Sequence, residues 1–239
     1  MALRTLLGVP YAFGPGFVEM VDAQNGQAAV DAALESYPKS IEQIWDPFRY
    51  LASDQPKRVA AVAVPDEAVL IDRDEFGTIA WFLMFAERID PAVALEAVGG
   101  GGGDDTIFYE LDGTVCMESR YVGDKASDAQ EFEAAFEAWD EAMPGTSSVT
   151  RDGSTVEVRT CDPGEDAAID AGGAGTAALA LPLTRSAVQT LAIETGYELL
   201  RARCLAEAVV EGADVEELAA ITWGEVEAQM QADARTICR

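Results

Sequence analysis

Two spacings of apolar residues alternate along this chain, one helical and one strand-like, and the changes between them predict its elements. Residues 1–56 read as short helices separated by turns. Gly14-Pro15-Gly16 precedes an apolar group at Phe17, Val18, Met20 and Val21, and Asn25-Gly26 is a turn signal. Gln27 to Tyr37 carries helical spacing through Val30, Ala33 and Leu34. Ser40 and Gln43 have the spacing of a capping box, and Asp46-Pro47 predicts the end of that short helix, because a residue before proline avoids the α region. Ala60 to Val64 is a short β-like run. Asp74 to Arg88 predicts a helix capped by Asp72 or Asp74, and its centre, Ile79 to Phe85, is apolar all round and so belongs in a core. Pro91 suits the first turn of a further helix through Val98, and Gly99 to Gly103 reads as a loop or hinge.

The middle of the chain switches to strand spacing. Thr106 to Leu111, Asp112-Gly113 and Thr114 to Val122 predict a hairpin, since Asp-Gly suits a two-residue turn with positive φ. Ser127 and Gln130 form a second capping-box pattern, followed by the helical stripe Phe132, Phe136, Trp139 and Met143. Ser148 to Arg151, Asp152-Gly153 and Ser154 to Cys161 predict a second hairpin, and one helix over a four-stranded antiparallel sheet is the economical packing. Residues 162–183, rich in Asp, Gly and Ala, read as a loop. From Thr184 a long helix is expected, with Val188, Leu191, Ala192, Thr195, Leu199 and Ala202 on one face, and Asp214 and Thr222 are expected to cap two further helices. The fold class is therefore α+β: a helical N-terminal region 1–98, a ββαββ antiparallel sheet unit 104–161 and a C-terminal helical segment 184–239.

Composition narrows the partners. The 239 residues are 49% hydrophobic, enough to bury a core, yet 43 acids face 16 cations for a formal charge of −27. Only Lys39, Lys57 and Lys125 are lysines. Such a surface repels phosphates and anionic lipid, so nucleic acid is not an expected partner; an unidentified protein or small ligand is. The longest clean apolar run, Ile79 to Ala86, is too short to span a bilayer, so no membrane insertion is expected. The N-terminal stretch does not read as a signal peptide: Gly8 and Pro10 break its apolar run and no small-x-small site follows, so a removed leader or an internal boundary is expected there.

The four cysteines bear on compartment. None forms a CxxC pair, and the chain has no histidine, so zinc-ligand spacing is missing. Cys116 and Cys161 fall on two strands of one sheet, and Cys204 and Cys238 on two C-terminal helices. Pairing neighbours is the simplest of three connectivities and implies an oxidising compartment; four buried free thiols are the alternative.

Catalytic motifs are not found. Without histidine there is no Ser-His-Asp or Cys-His pair and no HExxH site. No phosphate-loop motif is present, and Gly172-Gly173-Ala174-Gly175 does not match the dinucleotide fingerprint. Asp72 to Leu83 fails as a calcium loop at Phe76 and at Leu83, where Glu is required. Asp104-Asp105 and Asp162 to Asp166 read as weak divalent-cation positions or, more simply, as solvated acidic loops. Among 43 acids, no pair can be singled out for glycoside hydrolysis. Trp45, Trp81, Trp139 and Trp223 read as core packing. No catalytic, cofactor-binding or metal residue is expected, and no cofactor.

Several stretches resemble a known family. Pro10-Tyr11 through Phe17-Val18, Ala29 to Ala33, Pro38, Ser40, Glu42-Gln43-Ile44, Pro47 and Tyr50-Leu51 look like a block of uncharacterised secreted proteins of bacteria and haloarchaea. Asp74 to Gly77 resembles that family's later GEFG helix. Asp90-Pro91-Ala92, the glycine run, Asp104-Asp105, Ser127 to Ala129 and Glu131-Phe132 resemble its β-hairpin and following helix, so the likeness covers about residues 9–140. The family is similar to zincin metallopeptidases, with an HExxH helix upstream of this block, and Asp46 stands where the family has a histidine. The resemblance implies the fold and export, without carrying over the metal chemistry. Cys204 to Cys238 looks like a helical disulfide unit at the ends of exported actinobacterial proteins. The expectation is a non-catalytic cell-surface or secreted domain, a degenerate or truncated zincin-like relative that binds or supports. The alternative is the C-terminal fragment of a zinc peptidase whose metal helix lies outside this chain.

Overall fold

The computed structural model describes residues 2–142, 147–164, 175–211, 213, 215–220 and 222–238. In chain order the elements are α1 (Ala2–Asn25), α2 (Gln27–Glu35), α3 (Glu42–Trp45), α4 (Pro47–Leu51), β1 (Val69–Asp74), α5 (Gly77–Ala86), α6 (Pro91–Gly99), β2 (Gly101–Leu111), β3 (Thr114–Gly123), α7 (Ala126–Glu141), β4 (Ser148–Asp152), β5 (Thr155–Cys161), α8 (Ala180–Glu194), α9 (Leu199–Val210), α10 (Val215–Ala220) and α11 (Trp223–Thr236). The fold is α+β, with one five-stranded antiparallel sheet in the order β1-β2-β3-β5-β4. The chain forms two compact units, residues 1–55 with 176–239, and residues 56–175. The helical region expected over 1–98 is thus divided between them. Met143, Asp214, residues 165–174 and the Trp223 side chain lie outside what is described.

In the first unit, α1 is one helix rather than several. Val9, Phe13, Phe17, Met20 and Val21 recur on one face and are buried, and that burial outweighs the hydrogen bonds lost at Pro10 and Pro15. Asp46 ends α3 and starts α4, its carboxylate accepting the Phe48 N–H at 3.3 Å. Gln43 reaches back to the Lys39 N–H at 2.6 Å, one residue before the expected Ser40. The single long helix expected from Thr184 is two. Gly196, at φ 95°, reverses the chain after α8, and the Tyr197 N–H returns to the Ala192 carbonyl at 3.0 Å. Thr222 and Glu225 form the capping box of α11. The core joins Met20, Phe48, Val188, Leu205, Val226 and Met230.

In the second unit the two expected hairpins form, and Asp112 and Gly113 take φ 53° and 80° at the first turn. The sheet gains a strand that periodicity did not predict. Residues 69–74 form β1, where a helix start had been expected, and the helix begins only at Gly77. Ala60 to Val64, expected as a strand, forms none, and the glycine run is not a hinge: Gly101 to Gly103 open β2. A Cβ at Gly102 would come within 2.9 Å of the Lys57 side chain. Helix α7 starts at Ala126 with Asp128 accepting the Lys125 N–H at 2.9 Å, in place of the Ser127–Gln130 box. On one sheet face lie Trp81 and Phe85 of α5 and Phe132 of α7, the last stacked on Tyr121 with ring centroids 3.9 Å apart.

Candidate functional site

Successive side chains of a strand face opposite ways, which separates the two acids singled out on β2. Asp104 turns to the helical face, where it is buried and caps α5. Its carboxylate accepts the Phe76 N–H at 2.7 Å, the Gly77 N–H at 2.8 Å, the Thr106 hydroxyl at 2.8 Å and the Trp81 indole at 3.2 Å. Burial raises its pKa above the usual aspartate value, and these hydrogen bonds offset part of the rise. Asp105 faces the other way, accepting the Val62 N–H at 2.7 Å and the Arg73 guanidinium at 2.8 Å. The pair cannot share a cation. Asp162 accepts the Gly164 N–H at 2.8 Å in a local turn, and Asp166 is outside the described residues. Among the described residues no group of three or more potential metal ligands is gathered.

The opposite sheet face is crossed by residues 57–65. Lys57 donates to the Gly123 and Asp124 carbonyls at 2.8 and 2.7 Å, Arg73 to the Val62 carbonyl at 2.5 Å, and Arg120 to the Ala60 and Ala61 carbonyls at 2.8 and 3.0 Å. These bonds hold an extended segment whose Lys57 N–H also donates to the Gly102 carbonyl of β2 at 2.8 Å, and Val62 packs against Ile107, Tyr109 and Cys116. Cys116 and Cys161 are directly opposed on β3 and β5 and form a disulfide, Cα atoms 4.0 Å apart. Beyond them Glu118 pairs with Arg159 and Arg120 with Glu157, at 3.5 and 2.6 Å. Tyr109 donates to Glu118 at 2.8 Å; burial and that carboxylate push its pKa up to about 12. In the first unit a second disulfide joins Cys204 of α9 to Cys238, and no cysteine is free.

The first unit also buries several polar residues, of which Asp46 and Arg49 lie within electrostatic reach of Arg185. Glu42, Gln43, Asp46 and Arg49 come from α3 and α4, and Arg185, Ser186 and Gln189 from α8. Arg49 pairs with Asp54 at 2.6 Å, and Arg203 with Glu207 at 2.7 Å. One guanidinium nitrogen of Arg185 and both amide atoms of Gln189 are buried without a hydrogen-bond partner. Burial lowers the Arg185 pKa, while the fields of Asp46 and Glu207 oppose that shift. Sequence reading missed Arg185 and Gln189. Their signal was two polar residues at i, i+4 beside the apolar stripe of Val188 and Ala192. Asp46 acts here as a helix cap, its carboxylate accepting the Phe48 N–H.

The two sheet edges contrast. On β4, Arg151 is tied to Glu133 of α7 at 2.6 Å. On β1 all six residues are exposed, among them Val69, Leu70 and Ile71 in succession. Among the described residues, no helix is long and apolar enough to cross a membrane. Compared with known proteins, the chain matches no family model, no curated protein and no solved structure.

Proposed function

We propose that this chain is a non-catalytic exported domain, secreted or held at the cell surface, with a binding or structural role. The observation that carries the reading is the use of all four cysteines in two disulfides, one in each unit. Such bonds persist in a non-reducing environment. They also remove the thiolates that zinc would need, in a chain with no histidine. Asp104 caps a helix, and Asp105, Glu118 and Glu157 pair with Arg73, Arg159 and Arg120. The resemblance to secreted zincin-like proteins agrees with export, and Asp46 at the family's histidine position agrees with a lost metal function. The test is metal analysis of dialysed protein beside a peptide-substrate screen with and without zinc. Neither stoichiometric zinc nor zinc-dependent cleavage is expected. About one zinc per chain, or turnover abolished by a chelator, overturns the reading.

A further inference from the structure

Exposed sheet edges are usually blunted, because their unpaired N–H and C=O groups can accept another strand. The β4 edge follows that rule, its Ser148, Thr150, Arg151 and Asp152 being polar. The β1 edge carries a bulge between Leu70 and Asp72, one of the usual protections, yet still presents Val69, Leu70 and Ile71 at 67%, 45% and 55% exposure. Its placement is also held against local preference. The turn Pro65 to Ala68 that feeds it puts Glu67 at φ 68°, a left-handed conformation that costs a non-glycine residue about 1 kcal/mol.

Charge brackets the apolar triple. Asp66 and Glu67 precede it, and Asp72, Asp74 and Glu75 follow. The Asp72 and Asp74 carboxylates accept the backbone N–H of the following residue, at 2.9 and 2.8 Å. Arg73, the cation within the strand, is committed to Asp105. We propose that the β1 edge is a docking site for an extended segment of a partner protein, apolar at its centre and flanked on both sides by Lys or Arg. The inference rests on the binding reading above and names the partner's chemistry. Strand addition supplies the main-chain hydrogen bonds, and the flanking acids select the sequence.

The same acids oppose a second copy in the antiparallel register centred between Leu70 and Ile71 and in the parallel in-register one. Antiparallel self-pairing centred between Leu70 and Ile71 sets Glu67 opposite Asp74 and Asp66 opposite Glu75, each twice by symmetry. Parallel in-register pairing sets every acid against itself. Like charges directly opposed across strands are destabilising, and each copy carries a formal −27.

The test uses the full chain and a synthetic peptide with a Val-Ile-Val centre and Lys-Arg flanks. Three control peptides have Asp-Glu flanks, a Ser-Gly-Ser centre with the same basic flanks, or N-methylated alternate amides. Binding is read by calorimetry, and the docked position by hydrogen exchange. The basic-flanked peptide is expected to bind below about 1 mM and to protect amides within 69–74. Each control, and Ile71→Lys, is expected to bind at least about tenfold more weakly. Ile71 is exposed, so that variant should keep the wild-type melting temperature; if it does not, Asp74→Lys is the second test. No binding at about 1 mM overturns the proposal. So does equal binding of the Ser-Gly-Ser or N-methylated peptide, which would reveal charge attraction alone, or protection outside 69–74. Protection of 69–74 that grows with protein concentration and without peptide would assign the edge to a second copy, and also overturns it. Zinc-dependent turnover would instead sink the non-catalytic reading and leave the edge result standing, so the two failures are distinguishable.

Discussion

Asp104 and Arg185 are two buried charged residues in opposite circumstances. Asp104 meets four donors, whereas Arg185 has a buried nitrogen with none. Asp104→Asn turns an amide donor toward the Phe76, Gly77 or Trp81 N–H groups. It is expected to lower stability by about 2–3 kcal/mol, measured by denaturant unfolding with Trp fluorescence. Its pH signature follows from the raised pKa. A carboxyl with a folded pKa above its unfolded value of about 3.9 holds its proton more tightly when folded. Its contribution is therefore present at low pH and lost as pH rises from about 4 through the folded pKa. Glu131 moves the same way, through desolvation and the neighbouring Glu96 and Asp128. Stability is expected to rise as pH falls through the folded pKa toward about 4, with a shallower slope in Asp104→Asn; a slope unchanged by the substitution would remove Asp104 as its source. Arg185→Met exchanges an unpartnered buried guanidinium for a flexible apolar side chain and is expected to be neutral or stabilising by about 1 kcal/mol. Asp46→Ala removes the α4 cap and a carboxylate from the field around Arg185, and should cost about 1–3 kcal/mol. A stability ranking with Arg185→Met below Asp46→Ala would contradict this account.

Elements were legible where local chemistry decides them. The Asp112-Gly113 hairpin turn, the α7 stripe through Phe132, Phe136 and Trp139, Pro91 at the start of α6 and the Thr222 cap all follow from short-range rules. Elements set by distant partners were not. Residues 69–74 (Val-Leu-Ile-Asp-Arg-Asp) show no clean alternation, because an edge strand exposed on all six residues has no buried face to impose one. They are strand because 106–110 pairs with them. The cap of α5 was sought in Asp72 or Asp74 and lies in Asp104, on another strand. The surroundings of Arg185 were hidden for the same reason: α3 and α8 are separated by the whole second unit in sequence. At this scale the disulfides make a prediction of their own. The Cys204–Cys238 bond closes a loop of 34 residues, worth roughly 4 kcal/mol in the chain-entropy model. Replacing both by Ser should release α11, which anchors in the core through Val226, Met230 and Ala234. Hydrogen exchange should show its amides losing protection before those of α8. Simultaneous loss in both helices would contradict that order.

Across the whole molecule, 43 acids against 16 cations make mutual repulsion a general destabilising force. The melting temperature is expected to rise with added salt over the range where the screening length falls from about 30 Å to 10 Å. A flat or falling trend between those salt levels would mean that local ion pairs such as Arg73–Asp105 and Arg120–Glu157 outweigh the net charge. The division into units has a further consequence for biogenesis. Residues 56–175 are contiguous, so they can complete their sheet and the Cys116–Cys161 bond as soon as they emerge from a ribosome or a translocation pore. Residues 1–55 emerge earlier but must wait, because α1 packs on α8, which arrives after the entire insert. During that delay Phe13 and Phe17 have Trp45 and Tyr50 of the same segment beside them, whereas Met20 lacks the Val188, Ala192 and Leu205 side chains with which it shares a core. Residues 1–55 are thus finished only after the insert that follows them.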